Sequence, residues 1–384
     1  MECKKLFEII DGLNDKYIAL WEKICNIESP TDFKEGLDRI VDLLEALAKE
    51  KGWKTERIAR EKAGDTLFVT MNSEASSAPV SISAHIDTVH PLGLFGYPPV
   101  KFSDGKIYGP GVCDCKGGLA AGLMAMDALR KCGFKSRPVQ LLVQTDEENS
   151  SVISGGATIS DICKRAEGSV AFLNLEGHTP GEACLKRKGI ATYTFKVTGV
   201  EAHSSACAEK GSNAICDAAH KIIELEKFKY ADGITCNCGV ISGGTVPNTV
   251  AGYCEFKANF RFNTSEELCH IKEFVKKLSE TAHVPGCTCV AEIDGIRPAM
   301  ELTERNEKLL EKMNCIYSQN GLPTLNASHR TGGSDAANVT EYGIACVDSI
   351  GAEGGCIHSI NEYAHVDSLS RAAKRVATVV YCID

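Results

Sequence analysis

The chain is 384 residues long, more than one ordinary core needs, so two domains are expected. Its 43% hydrophobic and 24% charged content is that of a soluble globular protein, and a net charge of -9 argues against nucleic acid as a partner. The N-terminal stretch is charged and amphipathic, unlike a signal peptide, and no run is long enough to span a membrane; nineteen cysteines then read as reduced thiols, and the expected location is the cytoplasm.

Apolar positions at helical spacing predict helices over 4–25 and 34–50, the second marked by Leu37, Ile40, Val41, Leu44 and Leu47 and stopped at Gly52. Short β-type runs at 67–69, 80–84, 139–143 and 170–173 read as strands, with a small-residue-rich helix over 116–130 among them. This alternation predicts an α/β domain, a central sheet covered by helices on both faces. Near Lys186 the pattern changes. A half-exposed strand over 191–197 is followed by a helix (212–227), strands at 234–241 and 252–262, a helix (265–282) and a strand at 287–293. That β-α-β-β-α-β order is ferredoxin-like. After Arg297 the helix–strand alternation returns. The expected organisation is a split domain of residues 1–185 and 298–384, with a small domain inserted over 186–297.

Five segments place imidazoles or carboxylates at or near the ends of apolar runs: 84–87, 113–118, 145–148, 174–177 and 357–359. His85 and Asp87 stand two apart at a strand end and so share a face, where Asp87 can hold the ring nitrogen of His85 that faces away from a metal. Asp114 lies in a glycine-rich turn, and a carboxylate so placed can bridge two ions; alone, it reads equally well as the cap of the 116–130 helix. Glu147 and Glu148 diverge from a strand end, so that one can bind metal while the other faces the attacking water. Glu176 completes a shell, and His358 supplies a second imidazole. Gly332, Gly333 and Ser334 precede a short helix whose first N–H groups suit a substrate carboxylate, with ordinary turn chemistry as the alternative.

Taken together, in this order, the segments resemble the M20 metallopeptidase family, which includes glutamate carboxypeptidases, aminoacylases and acetylornithine deacetylase-like enzymes. The likeness implies a zinc-peptidase-type catalytic domain with a central mixed sheet, and an inserted ferredoxin-like lid that forms a homodimer. It implies two Zn2+ per subunit, with Co2+ or Mn2+ as substitutes. One metal would take His85, Asp114 and Glu176, and the other Asp114, Glu148 and His358. Glu147 would be the general base, Asp87 the residue behind His85, and His203 a group reaching the partner subunit's site. Asn248, Arg261 and Arg297 resemble substrate-carboxylate positions, and Arg297 sits in a run similar to the glutamate-carboxypeptidase branch. A cis peptide after Asp114 also follows from the resemblance. The implied reaction is hydrolysis of a peptide or N-acyl-amino-acid bond beside a free carboxylate, favouring a C-terminal glutamate. The alternatives are a deacylase, a tripeptide aminopeptidase, or a non-catalytic binding protein on the same fold.

Overall fold

The computed structural model describes residues 3–230 and 233–384; Met1 and Glu2, which open the first expected segment, lie outside the described residues. The chain divides into two compact units, Met1–Lys186 with Leu302–His329 and Ser334–Asp384, and Arg187–Glu301 with Arg330–Gly333. The second unit runs on past Arg297 because the backbones of Arg187 and Met300 exchange two hydrogen bonds of 3.0 and 3.1 Å. Arg330–Gly333 joins it through the Lys188 N–H on the Arg330 carbonyl, 3.2 Å, and through Arg187 Nη1, which donates to the Gly332 and Gly333 carbonyls.

The first unit is built on a six-stranded mixed sheet in the order Lys54–Ile58, Thr66–Met71, Val139–Gln144, Val80–His85, Ala171–Asn174 and Cys346–Val347. Val80–His85 runs parallel to both its neighbours, and all six of its residues are buried. Ser81 and Ser83 alternate with its apolar residues and are satisfied inside the fold, Ser81 Oγ 2.8 Å from Ser169 Oγ and Ser83 Oγ donating to the Leu142 carbonyl at 3.2 Å. Helix Lys4–Cys25 buries Leu6, Ile10, Leu13, Tyr17, Trp21 and Ile24, one stripe at three- and four-residue spacing. Helix Lys116–Cys132 is buried from Lys116 to Leu129 and ends at Gly133, whose φ of 83° is the left-handed stop that glycine allows.

Three parallel strands therefore end side by side, at His85, Gln144 and Asn174. Ligands of open α/β sheets bind outside such carboxyl ends, and the conspicuous acidic residues follow there. The Gly117-Gly118 pair keeps the 116–132 helix close to that edge. A Cβ on Gly118 would lie 1.9 Å from the Leu175 carbonyl oxygen and 2.8 Å from the Leu175 Cβ. Gly118→Ala is expected to destabilise the protein by ~1–3 kcal/mol or more, the usual cost of overpacking. Thermal unfolding tests this, and an unchanged midpoint would show that the helix can shift freely.

A smaller antiparallel sheet sets Gly354–Gly355, Tyr363–His365, Lys106–Tyr108 and Lys101–Ser103 in that order. It brings the His358 turn, which joins the first two of these strands, to the start of the glycine-rich turn before Asp114. Trp21 pins the same turn, donating from Nε1 to the Val112 carbonyl at 3.1 Å.

The second unit carries Gly189–Thr198, Ala214–Glu226, Thr235–Gly243, Tyr253–Phe262, Ser265–Glu280 and Thr288–Arg297 in chain order. Its four strands pair antiparallel in the order second, third, first, fourth: Thr235–Gly243, Tyr253–Phe262, Gly189–Thr198, Thr288–Arg297. That is the ferredoxin-like arrangement. Its core stacks Phe195 on Phe256 at 4.7 Å, and Asn213 and Thr264 cap the two helices. Among the described residues no helix is long and apolar enough to cross a membrane.

Candidate metal centre

His85 closes its strand and is 2% exposed. Its Nε2 lies 3.1 Å from Asp114 Oδ1 and 3.7 Å from Glu176 Oε1. Its other ring nitrogen faces Asp87, with Nδ1 3.3 Å from Oδ1 and 3.1 Å from the Asp87 carbonyl. The Asp87 carboxylate also accepts from Thr31 Oγ1 at 2.9 Å, from the Glu147 N–H at 3.1 Å and from the Glu148 N–H at 3.0 Å. One buried carboxylate thus fixes the imidazole and the turn that carries both glutamates.

Asp114 Oδ2 faces the second imidazole, 3.1 Å from His358 Nε2, and that nitrogen is 3.2 Å from Glu148 Oε2. The two oxygens of Asp114 therefore address two histidines. Donor atoms of His85, Asp114 and Glu148 lie within 4.8 Å of one another, with Glu176 beside His85 and His358 beside Asp114 and Glu148. The Asp114–Cys115 peptide is cis, as the resemblance implies. Glu147 is buried beside these groups in the first unit.

The protonation pattern tests whether this donor set suits cations. Burial pushes Glu148 up to about 7. Burial, with the charge of Asp114, pushes Glu176 well above the usual carboxylate range. Hydrogen bonds donated to the Asp114 and Glu148 carboxylates raise His358 to about 11. Burial opposes a charged His85, but Cys115, Glu176 and Asp114 hold its imidazole well above the usual range. Burial likewise opposes the Asp114 carboxylate, yet His358 and His85 hold it well below that range. A cluster that draws protons in this way is short of positive charge, and divalent cations supply it. The donor set fits metal binding.

The Cys115 sulfur lies within 4.8 Å of donor atoms on His85 and Glu176. It contacts the His85 backbone, accepting from N–H at 3.1 Å, and burial pushes its thiol upward, which disfavours the thiolate a metal would need. Asp114 is the better donor at that position.

The remaining expected residues fall elsewhere in the two units. Ser334 is fully buried in the first, its hydroxyl accepting from Asn174 Nδ2 at 2.9 Å. Gly332 and Gly333 belong to the second, where their carbonyls hold Arg187. Arg261 and Arg297 flank Ile190 across adjacent strands, and burial together with the Arg297 charge lowers the Arg261 pKa. His203 is exposed and its segment pairs with the Asn248 loop, the Ser204 N–H donating to the Asn248 carbonyl at 2.9 Å. Sequence reasoning did not single out Thr31 or Glu362, and it set His90 aside as a surface or satisfied core residue; His90 is buried, with Nε2 3.0 Å from Glu362 Oε2. Glu362 follows the His358 turn closely, but its polar partners lie about 250 positions away in the chain, so no local pattern marked it.

The sequence profile described as "Peptidase family M20/M25/M40" matches residues 81–381. The chain is similar to carboxypeptidase G2 of Pseudomonas sp. (strain RS-16), 27% identical over 98% of this chain and 91% of that protein. It is also similar to succinyl-diaminopimelate desuccinylase of Bradyrhizobium sp. (strain ORS 278), 28% identical over 86% of this chain and 90% of that one. Among solved structures, a tripeptidase from Staphylococcus aureus superposes with a TM-score of 0.79 at 22% identity, covering 96% of this chain and 98% of the other. At that identity the likeness is one of fold.

Proposed function

Because the chain belongs to peptidase family M20/M25/M40 and is a metal-dependent hydrolase, we propose that it cleaves a peptide or N-acyl-amino-acid amide bond beside a free carboxylate, using two metal ions. The observation that carries this reading is Asp114, whose two oxygens each lie 3.1 Å from a different imidazole. His85, Asp114 and Glu176 would hold one ion, and Asp114, Glu148 and His358 the other. When bound, such a pair polarises the scissile carbonyl and lowers the pKa of water; Zn2+ suits these N and O donors, and Co2+ or Mn2+ can replace it.

The chain's own groups do the rest. Glu147 takes the proton of the attacking water and passes it to the leaving amine nitrogen. Asp87 keeps His85 in one tautomer and fixes the Glu147–Glu148 turn through two N–H bonds. His203 is assigned to the carbonyl oxygen, delivered from a second copy of the chain in a homodimer formed by the second unit. The reading also includes a cytoplasmic location.

Carboxypeptidase action with a C-terminal glutamate is favoured over deacylation or tripeptide cleavage by the arginine pair. Arg261 and Arg297 stand at one level of their sheet, either side of Ile190, and paired guanidinium groups recognise carboxylates bidentately. Arg261 and Asn248 are assigned the α-carboxylate, and Arg297 the acidic side chain. Losing one charge-assisted hydrogen bond costs ~1.5–3 kcal/mol, so Arg297→Ala should lower kcat/KM for a C-terminal glutamate substrate by roughly 10–150-fold. Alanine-terminated substrates should lose much less. Steady-state rates on N-acyl-glutamate, N-acyl-alanine, N-succinyl-diaminopimelate and a tripeptide decide the matter. An equal loss on both N-acyl substrates would remove the specificity role, and a clear preference for either of the last two would replace the carboxypeptidase reading.

A further inference from the structure

Glu362 is 1% exposed, and its carboxylate is filled from every side. Oε1 accepts from the Cys113 N–H at 2.9 Å and the Asp114 N–H at 3.0 Å. Oε2 accepts from the Gly111 N–H at 3.1 Å and faces His90 Nε2 at 3.0 Å. A carboxylate has about four lone-pair sites, and all four are used here. Three N–H groups from one short turn converge on a single charge, a backbone nest. The Gly109 N–H adds a bond to the Glu362 carbonyl at 3.3 Å.

Glu362 also ends the turn that carries His358. From Cys356 to Asn361 that turn is exposed or half-exposed, and Glu362 is its buried end. Two of its residues, Cys356 at φ 54° and His358 at φ 60°, adopt the left-handed conformation that L side chains populate sparsely. Its own bonds are local: Ser359 Oγ donates to the Cys356 carbonyl at 2.8 Å, and the Glu362 N–H donates to the Ser359 carbonyl at 3.0 Å. A strained, exposed turn keeps its shape only when something outside it is fixed. His90 brings in a third segment, the one that continues from His85 and Asp87, with its ring edge-on to Phe95 at 4.9 Å.

We propose that Glu362 is a positioning residue that clamps the Asp114 turn, the His358 turn and the segment after Asp87 in one register, so that both ligand sets are presented before any ion arrives. The proposal rests on the two-metal reading above. Glu362 acts through the backbone N–H of Asp114 and the turn of His358. Glu362→Gln keeps the volume but turns an NH2 group toward N–H donors on one side, and Glu362→Ala removes all four contacts.

The test uses the full chain stripped of metal and titrated with Co2+, following its visible absorption and the binding isotherm, with circular dichroism and thermal unfolding measured before metal is added. Outer-shell changes of this kind typically weaken metal affinity 10–100-fold. Glu362→Gln should therefore bind Co2+ about 10–100-fold more weakly, with an altered absorption spectrum and a kcat that falls more than KM rises, while its dichroism stays that of the wild type. Wild-type affinity and spectrum in that variant would overturn the proposal, as would a lowered unfolding midpoint with metal binding untouched. If Glu362→Gln does not fold, His90→Gln, which disturbs one of the four contacts, decides by the same readouts. A wild-type chain that fails to bind two Co2+ would instead defeat the functional reading, so the two failures are distinguishable.

Discussion

Glu147→Gln should keep both metal ions and lose at least ~10²-fold in kcat, the lower range for removal of a general base. The residue is buried, and its backbone is held to the Asp87 carboxylate at 3.1 Å. Its neighbour is placed differently: Glu148 Oε2 lies 3.2 Å from His358 Nε2, where it is proposed to bind a metal. Glutamine preserves the shape of Glu147 but cannot take a proton from water. Glu148→Gln should instead weaken one ion, since an amide donates less charge to a cation than a carboxylate does. Metal analysis beside turnover separates the two. Identical behaviour of both variants would mean that the division of labour between these adjacent residues is wrong.

Asp114→Asn should lose metal and activity together while the fold survives. Both Asp114 oxygens are committed, one toward each histidine, and an amide leaves a single oxygen for two sets. Metal ions supply several kcal/mol of transition-state charge stabilisation, so the rate should fall on the order of 10³-fold. The fold should persist because the backbone of the Asp114 turn is held by other groups, Trp21 on the Val112 carbonyl and Glu362 on three N–H groups. Metal content, dichroism and hydrolysis measured on one preparation test all three statements. Full activity with two ions bound would show that Asp114 does not bridge.

The parts of this fold that could be read from sequence are those whose burial is regular. Strands Val80–His85 and Val139–Gln144 carry buried Val, Ile, Leu and Ala side chains, and helix Lys4–Cys25 shows its buried stripe at every turn. Strand Lys54–Ile58 escaped notice because it is an edge strand of mostly polar residues, extended by its pairing with Thr66–Met71. The minor sheet escaped for a related reason. Its strands are two or three residues long, and pairing across the chain, not local propensity, holds Tyr363 against Tyr108. The strand expected to end at 293 continues to Arg297 through a register shift between Ile293 and Gly295, which carries Arg297 to the level of Arg261. The site was legible where chemistry sits at strand ends: His85, Glu148 and Glu176 follow three parallel strands, and their proximity is a consequence of sheet order. Thr31, His90 and Glu362 were not legible, because a supporting residue is defined by what it touches, and Glu362 touches a turn that lies most of the chain away.

The two-metal amidohydrolase claim is tested most directly by one titration. Metal-free protein is given Zn2+ in increments while hydrolysis of an N-acyl-glutamate and bound metal per chain are followed together. The account predicts two ions per chain at saturation, amide hydrolysis that requires them, and loss of hydrolysis when a chelator removes them. Saturation at fewer than two ions, or hydrolysis that persists in the fully stripped protein, would contradict it.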